Sequence, residues 1–167
     1  MMNKKGLALS ERRESKGFTL IELLVVIIIL GFLSALISGN FFTSLKKGRD
    51  AKRKADLEQI TRALEMYYED KKAYPDSLTF GSSLPDPDST KVYMQKLPDD
   101  PTSGKTYEYN LTSGSYRLYA CLENSQQILP YDSLTQGPSM TCSVSCKNKS
   151  ESSISCIWAV SSSDISP

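Results

Sequence analysis

The 167-residue chain contains no histidine and only one tryptophan. Without histidine, neither a Ser-His nor a Cys-His nucleophilic pair can be assembled, and zinc loses its usual nitrogen ligand. A glycine-rich phosphate loop is also missing, so nothing in the sequence supports an enzyme. Cysteine is confined to the last third, as Cys121, Cys142, Cys146 and Cys156. An even, clustered set on an exported domain points to two disulfides, and the sequence leaves all three pairings open. Cys142 and Cys146 have the spacing of a zinc-ligand pair, but the other two cysteines are isolated, which makes zinc the weaker alternative.

Charge is scarce in one place. From Phe18 to Ile37 the only ionisable side chain is Glu22. As a helix this run reaches roughly 30 Å, the thickness of a bilayer's hydrocarbon core. It is longer than the apolar core of an ordinary secretory signal and has no A-x-A-like end. A carboxylate at a helix centre in lipid costs about 2.5 kcal/mol or more, so Glu22 needs either a partner or a position near the head groups.

Basic residues flank the run on both sides. Lys4, Lys5, Arg12, Arg13 and Lys16 precede it, and Lys46, Lys47, Arg49, Lys52, Arg53 and Lys54 follow it, so the positive-inside rule does not orient the span. The second band reads as a solvated helix face; contact with lipid head groups or with acidic residues of neighbouring subunits are the alternatives. It has no interleaved aromatics, and nucleic-acid binding is unsupported.

The stretch "KGFTLIELLVVI" resembles the type III signal of prepilins, the class that includes type IV pilins and the pseudopilins of type II secretion. The resemblance implies a cytoplasmic basic leader over residues 1–17, cleavage after Gly17 by a prepilin peptidase, and N-methylation of the new terminus, Phe18. Thr19 and Leu20 follow, and Glu22 becomes the carboxylate that pairs with a neighbouring subunit's amine during assembly. It also implies homo-oligomeric filament partners, an inner-membrane assembly platform, membrane lipid as the environment before assembly, and no catalytic role.

Beyond the span, Leu57, Ile60, Leu64 and Tyr67 make one helical face, with Ala51, Ala55 and Ala63 around it. Pro75 ends the helix, which is expected to run from about Phe18 to about Lys72. Gly31, Ser34, Ser38 and Gly39 are either weak points that permit local unwinding or small residues that allow close helix packing. Many type IV pilins have a proline where this chain has Gly39.

After Pro75 a loop rich in Pro, Asp, Ser and Gly is expected to contain a short helix near Val92 to Lys96. "KTYEYN" and "SYRLYACLE" alternate apolar with polar residues and are joined through Thr112, Ser113 and Gly114, a hairpin signal. "SISCIWAV" supplies a further strand. The expected fold is α+β: a long N-terminal helix, transmembrane over 18–39 and amphipathic over 40–74, packed on a small antiparallel head over 75–167. Leu64, Tyr67, Leu118 and Trp158 would be buried together, and most of the tyrosines would be core and sheet pairs.

"YP" at Tyr74, "LPDDP" at Leu97 and "GKTYEYN…YRLYACLE" extend the resemblance to the G-type pseudopilins and related small pilins, over roughly Lys16 to Glu123. Major pseudopilins usually carry an Asp- and Gly-rich calcium loop near the C-terminus. Here Pro138 to Trp158 is rich in Ser and Cys instead, so disulfides would pin the tail. That departure favours a structural subunit of a type IV pilus. The alternatives are the major pseudopilin of a type II secretion system or a singly anchored extracellular binding domain. The resemblance places the precursor in the inner membrane and the filament outside it or in the periplasm.

Calcium is the one cofactor with candidate ligands, Asp86, Asp88, Asp99 and Asp100, but they lack an EF-hand spacing and Asp-Pro pairs initiate turns. Asn110 and Asn148 head glycosylation sequons.

Overall fold

The computed structural model describes residues 17–134 and 137–162; the expected leader, apart from Gly17, lies outside them. The chain divides into two compact units, Met1–Gly39 and Asn40–Pro167. Helix α1, Leu20–Lys71, contributes to both.

In the first unit, α1 begins two residues later than expected because Thr19 acts as its N-cap. The Glu22 amide donates to Thr19 Oγ1 at 3.3 Å, and Glu22 Oε2 accepts from the Thr19 amide at 2.8 Å. This reciprocal arrangement is a capping box, which satisfies backbone donors that a helix start leaves unpaired. Leu20–Ile37 is long and apolar enough to cross a membrane, and none of it is buried. The backbone is helical throughout Gly31 to Gly39, without the unwinding that the glycines permit. Ser34 Oγ returns a hydrogen bond to the Leu30 carbonyl at 2.7 Å, a local way of satisfying a hydroxyl on an apolar helix.

In the second unit, the rest of α1 packs against a three-stranded antiparallel sheet of β3 (Glu108–Thr112), β4 (Ser115–Cys121) and β7 (Ile157–Ser161), in the order β3-β4-β7. Two smaller pairs accompany it: β1 (Leu84–Pro85) with β2 (Val92–Met94), and β5 (Ser145–Lys147) with β6 (Ser153–Ser155). The expected hairpin is present, with Thr112 opposite Ser115. Ser113 and Gly114 between them both have positive φ, 53° and 78°, as a tight primed hairpin turn requires.

The expected short helix near Val92 to Lys96 is instead strand β2. Val92 is exposed, Tyr93 buried and Met94 half-buried, a period of two rather than 3.6. Tyr93 is held in that pattern by Tyr67, its ring centroid 5.0 Å away, and by a hydrogen bond from its hydroxyl to Asp70.

Period two also divides the main sheet. Tyr116, Leu118 and Ala120 of β4 join Leu57, Ile60, Ala63, Leu64 and Tyr67 of α1 in the principal core, with Trp158 and Val160 of β7 partly buried against it. The expected burial of Leu64, Tyr67 and Leu118 is therefore met, and Trp158 is half-buried at its margin. Ala63 belongs to this face, whereas Ala51 and Ala55 are exposed, since their helical phase turns them away from it. On the opposite sheet face, Tyr119, Ile157 and Ala159 pack with Tyr131, Leu134, Met140 and Cys142. A third cluster forms around Leu122, Leu129, Cys146 and Cys156.

Candidate functional site

The processing and assembly residues expected from the sequence lie together at the start of α1. Phe18 is 89% exposed, and Glu22 is exposed one turn into the helix. The Glu22 carboxylate already takes two donors from Thr19, the amide and the hydroxyl, the latter at 2.7 Å. A carboxylate with two donors is less costly to carry into an apolar medium than a bare one, so Thr19 provides local support for a charge that no other side chain of the run can pair.

A second charged cluster, which composition alone does not reveal, lies in the second unit. Arg53 has no exposed side-chain surface, and its guanidinium engages three carboxylates. Nε and Nη2 reach Asp100 in a fork at 2.7 and 2.9 Å. Nη1 reaches Asp50 at 2.8 Å, and Nη2 also reaches Glu123 at 2.6 Å and Thr102 Oγ1 at 2.9 Å. The fixed fork of an arginine suits this role, whereas a lysine would present a single charge point.

Asp50 in turn accepts the backbone amides of Glu123 and Asn124, both at 2.9 Å, so one helical carboxylate fixes the chain leaving β4. Arg49 closes the cluster on Glu123 from the rim, with Nε 3.0 Å from Oε2. The Arg49 hydrogen bond, joined by Arg53 and Thr102, outweighs burial and brings the Glu123 carboxyl down to about 2.

This corrects the expectation that the whole basic band is a solvated helix face. Lys46, Lys47 and Lys52 are exposed, but Arg49, Arg53 and Lys54 turn onto the head. Lys54 Nζ donates to Gln127 at 2.8 Å and sits 4.1 Å from the centre of the Trp158 ring, a cation–π position. The spacing Arg49, Asp50, Arg53, Lys54 places these residues on one side of the helix. That phase, together with the acidic "LPDD" and "CLE" segments, is the signal by which the cluster could have been found.

Three of the four candidate calcium ligands, Asp86, Asp88 and Asp100, are engaged elsewhere. Asp86 and Asp88 both hold Lys71, at 2.6 and 2.8 Å, and Asp86 also accepts the Asp88 amide and the Ser89 hydroxyl in a turn. Asp100 is committed to Arg53, and Asp99 lies against Gly81. Among the described residues, no group of three or more carboxylate or sulfur ligands is placed to hold a metal ion. Of the two sequon asparagines, Asn148 is buried, with its amide donating to the Asp132 carbonyl and its carbonyl accepting the Ser152 amide. Asn110 is half-buried in β3 and donates to Glu108.

All four cysteines are paired, Cys121 with Cys142 and Cys146 with Cys156. The first bridge ties the end of β4 to a strap, residues 139–142, whose Met140 and Cys142 pack on the outer sheet face, the one bearing Tyr119, Ile157 and Ala159. The second links β5 to the residue between β6 and β7.

Comparison with known proteins agrees with this architecture. The prokaryotic N-terminal methylation motif matches residues 12–38, and the family described as type II secretion system protein G matches residues 40–127. The type II secretion system core protein G of Pseudomonas aeruginosa is 35% identical over 121 residues, covering 66% of this chain and 84% of that protein. The protein of the same name from Vibrio cholerae is 31% identical over 109 residues, covering 60% and 74% of the two chains. The one from Escherichia coli K12 is 33% identical over 97 residues, covering 53% and 67%. No solved structure gives a significant match. A prepilin methylation motif at the head of an apolar helix, followed by a head that matches protein G over most of its strands, assigns the chain to a family: it belongs to the type II secretion system protein G family.

Proposed function

We propose that the protein is a structural subunit of a pseudopilus-like filament, made as a single-pass membrane precursor and polymerised through its N-terminal helix. A prepilin peptidase cuts after Gly17, Phe18 becomes the methylated N-terminus, and an inner-membrane platform adds the subunit to copies of itself. The observation that carries this reading is the run Leu20–Ile37, apolar and wholly unburied, opening directly behind "GFT". So much exposed apolar surface needs lipid around it first and other helices afterwards. The names of the relatives favour the secretion pseudopilus, the alternative carried from the sequence, over a surface pilus.

Glu22 supplies the polarity of assembly in this reading. Thr19 stabilises its charge while the subunit waits in lipid, and a neighbour's Phe18 ammonium then offers a full opposite charge in a medium of low dielectric. Methylation leaves that ammonium positive. The test is Glu22→Ala: export and head folding stay intact while incorporation into filaments is abolished, and normal assembly of this variant would sink the pairing mechanism. Intact mass tests processing independently, since the mature chain should begin at methylated Phe18. A singly anchored binding domain would require neither event.

A further inference from the structure

The two disulfides sit in unlike surroundings. Cys146 and Cys156 are 2% and 0% exposed and lie in a closed apolar cluster with Leu122 and Leu129. Cys121 and Cys142 are only half-buried. Both line a cleft of about 560 Å³, together with Tyr107, Glu108, Met140 and Ser143. Exchange proceeds by in-line attack of a thiolate on a sulfur, so access decides which bridge reacts.

The strap that carries Cys142 has a second fastening. Glu108 on β3 accepts the backbone amides of Ser139 and Met140 at 2.7 and 2.8 Å. Met140 Sδ lies 3.7 Å from Cys121 Sγ, and Met140 and Cys142 both pack on Tyr119, Ile157 and Ala159. These contacts do not depend on the bridge. A strap opened at the disulfide would keep Cys142 beside Cys121, at a high effective concentration for closing again.

We propose that Cys121–Cys142 is a thiol–disulfide exchange site, open in the folded head to an external dithiol, and that Cys146–Cys156 is a permanent closure. One thiolate of the dithiol attacks a sulfur of the bridge and releases the other cysteine as a thiolate, forming a mixed disulfide. The second thiol of the reagent resolves that intermediate. The protein bridge gains two electrons and becomes two thiols, and the reagent becomes its own disulfide. The reverse reaction, with an oxidised dithiol partner, recloses the strap. The partner that fits is a dithiol oxidoreductase acting on the folded subunit, and the cleft is where it reaches the sulfurs.

The test uses the full chain, folded in detergent micelles and exposed to graded dithiothreitol under native conditions. Samples are quenched with an alkylating reagent and the labelled cysteines mapped by peptide mass. Cys121 and Cys142 should be labelled at least tenfold faster than Cys146 and Cys156, with the far-ultraviolet circular dichroism unchanged during the fast phase. A Cys121→Ser/Cys142→Ser double variant should lose the fast phase and keep the slow one. Equal labelling rates, earlier labelling of Cys146 and Cys156, or loss of the dichroism signal in step with the first labelling would each overturn the assignment. Failure of filament assembly would leave these rates unaffected, so the result is separable from the proposed function.

Discussion

Replacing Arg53 with methionine removes a cation shared by Asp50, Asp100 and Glu123 and leaves a side chain of similar reach. The three carboxylates are not left equally exposed to the loss. Glu123 retains Arg49 and Thr102, and Asp50 retains two backbone amides. Asp100, with 1% of its side chain exposed, retains the Thr102 amide but loses both arms of its fork. Removing one partner of a buried ion pair typically costs 3–5 kcal/mol, against 1 kcal/mol or less for an exposed pair, so Arg53→Met should cost about 4 kcal/mol. At about 4 °C per kcal/mol, that is a fall in Tm on the order of 15 °C. The assay is thermal unfolding of the full chain in micelles, followed by near-ultraviolet circular dichroism of Trp158 and the core tyrosines. Adding Asp100→Asn to Arg53→Met should recover a large part of the loss, because a neutral amide tolerates burial without a cation. A loss below about 1 kcal/mol for the single variant would refute the claim that the cluster is buried and integral, and a double variant no better than the single would refute the electrostatic cause.

Acid should loosen the same junction. The Glu123 carboxyl is held down to about 2 from an ordinary 4.5, chiefly by the Arg49 hydrogen bond, so its contribution is complete above about pH 4.5 and is lost as the pH falls towards 2. Denaturant midpoints measured across that window should decline, and Glu123→Gln should flatten the decline. Two glycines predict opposite signs in the same measurement. Gly81 has φ +81° and an added Cβ would meet Asp99 Oδ2 at 2.8 Å, so Gly81→Ala should destabilise by about 1–2 kcal/mol. Gly48 lies inside α1 with nothing within 4 Å of an added Cβ, so Gly48→Ala should stabilise by up to about 1 kcal/mol.

What could be read from the sequence was what repeats with a period. The α1 face Leu57, Ile60, Leu64 and Tyr67, and the alternation on either side of Ser113 and Gly114, are local patterns, and both are present as read. At Val92 to Lys96 five residues are too few for periodicity to separate helix from strand, and the contact that decides for a strand, Tyr93 on Tyr67, spans distant segments. The basic band conceals its division for a related reason: six cations in nine residues look like one feature, but helical phase divides them, and the distant acids that take Arg49 and Arg53 are Asp100 and Glu123. The pairing of the cysteines was open in the sequence, since their spacing carries no information about which ends the sheet brings together.

The tail shows why the match to protein G, which ends at residue 127, does not mark the end of the head. Strand β7 pairs with β4 over five residues, from Arg117 opposite Ser161 to Cys121 opposite Ile157, and thus supplies one of the three strands of the main sheet. Trp158 and Val160 help close the principal core, and Tyr131, Leu134, Met140 and Cys142 cover the outer sheet face. Without this segment, β4 would have a bare edge and Tyr119 would face water. Both disulfides lie where the tail meets the matched segment or folds upon itself, at Cys121–Cys142 and Cys146–Cys156. Cross-links placed there restrict the unfolded chain most where the added strand must find its register, so oxidation and completion of the sheet favour one another.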